Sequence, residues 1–130
     1  MVPLSETASD AELIAFIDGW AALMEREDYE AAYGYTDHIP EMRWTPDLIR
    51  QVIKGYGDCI AQQRVTVAEV PSDISQRKVV DRWEPNRIGG AGEIWYDLNI
   101  DGVASDLTAT FRIIPVPGGL AIKLNDIHVM

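Results

Sequence analysis

The sequence has one cysteine, two histidines, few basic residues and no long apolar run, and each shortage narrows its function. A lone thiol, Cys59, excludes an internal disulfide and fits a reducing compartment. No apolar stretch approaches the roughly 18 residues needed to span a bilayer, so no membrane partner is expected. Residues 1–10 are polar and acidic, without the basic and apolar regions of a secretory signal, and a cytoplasmic location follows as the expectation. Lys and Arg number 11 against 21 Asp and Glu, for a formal charge of -10. That balance argues against nucleic acid, whose phosphates need clustered cations. The one basic-leaning region, Arg77, Lys78, Arg82 and Arg87, is interrupted by Asp81 and Glu84. Gly89-Gly90-Ala91-Gly92 is no phosphate loop, because neither Lys-Ser nor Lys-Thr follows and a strand pattern comes next. No cofactor is expected.

What is present suffices for one domain over residues 1–130, since 47% of the residues are apolar. Ser9-Asp10-Ala11-Glu12 reads as a capping box, and Leu13, Ile14, Phe16, Ile17, Trp20, Ala21, Leu23 and Met24 follow at helical spacing as one wide apolar face. Asp28 is the expected cap of a short second helix ending near Gly34. Thr45-Pro46 opens a third helix, with Gly57 as its stop. Cys59 is expected as a small buried side chain, and His38 as a surface residue. From residue 64 the periodicity changes to strands at 64–70, 77–83, 93–100, 103–114 and 120–129. Helices followed by a run of strands indicate an α+β fold, here three N-terminal helices packed on a curved antiparallel sheet.

Asp101-Gly102 supplies the two residues of a tight hairpin turn. Counting back from it pairs Tyr96 with Leu107 and Ile94 with Ala109 on an apolar face. The opposite face then sets Trp95 against Thr108 and Asp97 against Asp106, two carboxylates that repel unless compensated. Lys123 is a candidate compensator. In the last strand, Leu120, Ile122 and Leu124 share one face, but Ile127 and Val129 fall on the other. Either a bulge near Asn125-Asp126 resets the alternation, or Asp126 and His128 face the hollow. The bulge is preferred, because it buries two β-branched residues.

The order of elements, with Phe16-Ile17-Asp18-Gly19-Trp20 and Asp28-Tyr29-Glu30-Ala31-Ala32-Tyr33, resembles the NTF2-like superfamily. The resemblance implies a cone of curved sheet closed by helices. Its members include enzymes, binding modules and scaffolds, so it assigns no activity. Ser105-Asp106-Leu107-Thr108 and the segment from Leu124 to Val129 also resemble a bacterial domain family of unknown function.

Asp126 and His128 are the candidate catalytic pair, suited to proton transfer near neutral pH. Trp20, Tyr33, Tyr56 and Tyr96 are candidates to line a cavity for a small apolar ligand. Trp95 lies on an otherwise polar strand face, which with Thr108 and Thr110 makes a candidate homodimer interface. No metal is expected, since Asp97 and Asp106 lack a second His or ligand-spaced partners. The preferred function is a non-catalytic ligand-binding or protein-interaction module. The alternative is a cofactor-independent isomerase or hydrolyase using Asp126 and His128. Attraction of the acidic surface to a basic partner protein is a third possibility.

Overall fold

A computed structural model describes residues 3–67, 77–85 and 90–129 of the chain. Ser9 and Glu12 form the expected capping box, and α1 runs Asp10–Glu25 behind it. Asp28 caps α2, Tyr29–Tyr35, through the Ala31 amide. Thr45 caps α3, Pro46–Lys54, which ends three residues before the expected stop at Gly57. Cys59 is exposed rather than buried, with φ 57 in the loop after α3. Burial of a small thiol needs surrounding core, and this loop lies outside it.

Among the described residues, six strands follow or interleave with the helices: β1 Asp37–His38, β2 Val65–Thr66, β3 Lys78–Arg82, β4 Gly92–Ile100, β5 Val103–Val116 and β6 Gly119–Val129. Their order is β1-β6-β5-β4-β2, with β3 also paired to β4. All pairs are antiparallel except β1 with β6, so the sheet is mixed. The missed β1 is two residues long, too short for a sequence pattern. Of the expected strand at 64–70, Val65 and Thr66 are in β2, and 68–70 lie outside the described residues. Gly92 belongs to β4, not to a loop. Residues 86–89, which include Arg87 and Gly89, also lie outside the described residues.

The turn holds as expected: Asp101 and Gly102 both have positive φ, and Ile100 pairs with Val103. Beyond it the register departs from a simple count. Asn99 opposes Ala104, but Asp97 opposes Thr108, so β5 carries two extra residues there. Tyr96 therefore pairs with Ala109, Ile94 with Phe111, and Trp95 with Thr110. A two-residue slip preserves the faces, and Leu107 and Tyr96 are both buried. It also separates Asp97 from Asp106, relieving the repulsion the straight register would impose. On β6 the expected bulge is present, with Leu124 opposite Phe111, Asp126 opposite Thr110 and Asn125 as the extra residue, but it buries only Ile127, since Val129 at the strand end stays 57% exposed.

One core lies between helices and sheet. Leu13, Ile17, Trp20 and Met24 from α1, with Ile49 and Ile53 from α3, meet Ile94, Phe111, Ile122 and Leu124. Trp20 stands edge-on to Phe111 with ring centroids 5.1 Å apart, a geometry worth roughly 0.5–1.5 kcal/mol beyond area burial.

The β5–β6 hairpin is tied to the N-terminal segment by two Leu4–Leu120 backbone bonds, both 2.8 Å. Gly119, with φ 152, makes this possible, since a Cβ there would stand 1.9 Å from the Leu4 carbonyl oxygen. Gly119→Ala is expected to destabilise the fold by roughly 2–4 kcal/mol in urea unfolding. A loss below about 1 kcal/mol would mean that Leu4 does not approach so closely.

Candidate functional site

The hollow is filled. Trp20, Phe111, Ile17, Ile53 and Leu124 are wholly inaccessible, and Trp20 is core rather than cavity lining. Tyr96 is also buried, but its hydroxyl reaches the rim of the hollow and donates to Asp18 Oδ1 at 2.5 Å. Lys78 Nζ lies 3.0 Å from the same oxygen and 4.9 Å from the Tyr96 ring centroid. Burial, then the hydrogen bond to Asp18, push the Tyr96 phenol far above its usual range. This trio borders a cleft of about 270 Å³ between α1 and the β2–β4 edge. The sequence pattern assigned no site role to Asp18 or Lys78. The available signal was an acid within the wide apolar face of α1.

Tyr33 and Tyr56 do not join Tyr96. Tyr33 stacks on half-buried His38, with centroids 4.0 Å apart, and its carbonyl lies 2.7 Å from His38 Nε2. Burial holds the His38 imidazole below its usual range. Tyr56 follows α3, and Gln63 Nε2 donates both to the helical carbonyl of Ile53 and to the carbonyl of Tyr56 beyond the helix, each at 2.6 Å. The Tyr56 hydroxyl donates to Asp106 Oδ1 at 2.5 Å, using the residue displaced by the β5 irregularity.

The Asn125 bulge turns Asp126 and His128 away from the hollow. The registers place three rows across the outer face: Asp81, Glu93, Arg112 and Lys123; Val79, Trp95, Thr110 and Asp126; and, next to Arg77, Asp97, Thr108 and His128. His128 Nδ1 lies 3.0 Å from Asp126 Oδ2, on a surface about one-third exposed. Asp97 is saturated differently: Thr108 Oγ1 donates to one oxygen at 2.8 Å, and Arg77 contributes its amide and Nε to the other. Thr108 and Thr110 are each 1% exposed, so accessible apolar surface here belongs to Val79 and Trp95. The basic residues of β3 and the residue before it are neutralised pairwise, Arg77 by Asp97, Lys78 by Asp18 and Arg82 by Asp10.

His128 and Tyr56 do share one feature, an open groove of about 380 Å³ between α3 and the end of β6. Across these sites the chemistry on offer is hydrogen bonding and charge pairing, with most carboxylates already engaged. The chain belongs to a family described as a domain of unknown function, DUF7668. Its model matches residues 21–130, from the middle of α1 onward. Comparison with curated proteins and with solved structures finds no match. The DUF7668 match thus covers the sheet and both sides of it, but carries no activity to any of these residues.

Burial raises the Glu93 carboxyl above its usual range, with Arg112 offsetting part of the effect. A folded pKa above the unfolded one makes the carboxylate a cost that grows as pH rises through that interval. Glu93→Gln should therefore stabilise the protein at neutral pH, and wild type and variant should converge below about pH 4. Lower stability of the variant at neutral pH would show that Arg112 outweighs burial. Tyr96→Phe keeps the ring but loses the bond to Asp18, and should cost about 1–2 kcal/mol in the same measurement.

Proposed function

We propose that the protein is a non-catalytic interaction module that pairs with a second copy through the outer face of its sheet. The carrying observation is the packed hollow: Trp20, Phe111 and Leu124 fill its centre, the cleft of about 270 Å³ beside Asp18 and Tyr96 is confined to its rim, and Asp126 and His128 lie outside it. Of ligand binding and protein interaction, a filled core favours interaction. The helices-then-sheet order is compatible with the resemblance to the NTF2-like superfamily. An exposed Cys59 thiol suits a reducing, cytoplasmic setting.

Charge placement supports self-association. In the first outer row the acids Asp81 and Glu93 sit on β3 and β4, while the bases Arg112 and Lys123 sit on β5 and β6. A two-fold axis along the strands, between β4 and β5, would lay Asp81 over the partner copy's lysine and Glu93 over its arginine. In the next row the same axis would lay half-buried Trp95 over the partner's Thr110 and Val79, 46% exposed, over the partner's Asp126, where a glutamate at position 79 would meet like charge.

A second reading, a cofactor-independent isomerase or hydrolyase, draws on His128 and Tyr56 lining one groove, with Asp126 beside His128. A small apolar molecule retained there, detected by native mass spectrometry of the purified protein, would favour that reading.

Native mass spectrometry and sedimentation at about 10 μM should report a dimer, a concentration set by the micromolar affinity of modest interfaces. Val79→Glu and Trp95→Ala should each shift it to monomer without loss of fold. A monomeric wild type, or a dimer indifferent to both changes, would overturn the outer-face assignment.

A further inference from the structure

The free edge of β6 lies apart from the paired rows of the outer face. β1 pairs with β6 only at Lys123 and Leu124. The Ile39 amide bonds Leu124 O and Trp44 Nε1 bonds Asn125 O, closing that edge up to the bulge. Beyond it, among the described residues, residues 126–129 pair with β5 on one side and with no strand on the other. The Ile127 amide is taken by its neighbour's carboxylate, Asp126 Oδ1, at 2.9 Å, a local substitute for a ladder carbonyl.

The groove adjoins this edge. Its apolar lining is Val52, Tyr56, Leu107, Ile127 and Val129, and Val129 is 57% exposed. Carboxylates adjoin it: Asp106 holds Tyr56, Asp126 lies beside His128, Asp47 holds the lining Gln51, and Asp58 follows the lining Gly57. The nearest cations of α3 are directed elsewhere. Lys54 is bonded to Glu27 and the Gln63 carbonyl, and Arg50 lines a separate depression with Glu27 and Tyr29. An open strand edge, an apolar trough and an anionic rim thus coincide.

We infer that residues 126–129 of β6 and the groove beside α3 receive an extended segment of a partner protein in which apolar and basic side chains alternate. Strand addition supplies main-chain hydrogen bonds, while the two-residue period sends one set of side chains into the trough. The other set meets the rim, where Lys or Arg is favoured and Asp or Glu repelled. A second copy of this chain is the poorer occupant, because its charge of -10 opposes the same rim.

The test uses the intact protein and a capped Lys-Val-Lys-Val-Lys-Val peptide, followed by amide resonances and titration. Binding should weaken as salt rises, and shifts should concentrate at residues 51–57 and 126–129. A Glu-Val peptide of equal length should not bind. Methylating alternate peptide amides in one frame should abolish binding, while methylation in the other frame leaves it, because a strand is added by one edge. Val129→Lys, at an exposed position, should lower affinity at least tenfold. D47N/D58N should reduce the salt dependence. No binding, shifts centred on Val79 and Trp95, equal effects of the two methylation frames, or indifference to Val129→Lys would each overturn the inference. None of these outcomes depends on whether the outer face dimerises.

Discussion

One extra residue, Asn125, governs where the polar end of the last strand points. Without it, the alternation that buries Leu120, Ile122 and Leu124 would carry Asp126 and His128 into the hollow and expel Ile127. With it, Ile127 seals the core at 4% exposure, and the Asp–His pair moves outside. Burying the two ionisable groups beside Leu107 would cost desolvation that no described partner in the hollow offsets. The bulge removes that cost and fills the hollow in one step.

The irregularity in β5 works with it. Two additional residues opposite Leu98 leave the faces unchanged but release Asp106 from Asp97. Asp97 gains Thr108 and Arg77 as partners, while Asp106 takes the Tyr56 hydroxyl and so joins the sheet to the loop after α3. Ser105 Oγ donates to the Leu98 carbonyl, satisfying an acceptor within the disrupted stretch. Together the two departures from regular pairing produce an apolar interior, a polar outer face and an open edge beside an apolar trough. The polar work is done at margins: Tyr96 with Asp18 at one rim, Gln63 under the end of α3 at another.

Local chemistry made much of the fold legible. Ser9, Asp28 and Thr45 cap helices because a side-chain oxygen meets an amide three residues away, a relation confined to adjacent residues. The Asp101-Gly102 turn is equally local, since its positive φ values belong to those residues alone. The bulge at Asn125 was legible because β-branched residues changed phase there. The β5 irregularity was not, because a two-residue slip leaves the apolar phase intact. Its one trace was the unfavourable pairing of Asp97 with Asp106. The same limit hid the Asp18–Tyr96–Lys78 trio, whose members are 60 and 78 residues apart from Asp18.

The sequence by itself determined the α+β class, the helix starts, the hairpin turn and the acidic character, because caps, turns and periodicity are short-range and charge is additive. Tertiary structure alone decided that the hollow is solid, that Tyr56 shares a groove with His128 while Tyr33 stacks on His38, and that Thr108 and Thr110 are covered. Those outcomes depend on strand register and on how helices seat against the sheet, which are set by packing between residues distant along the chain.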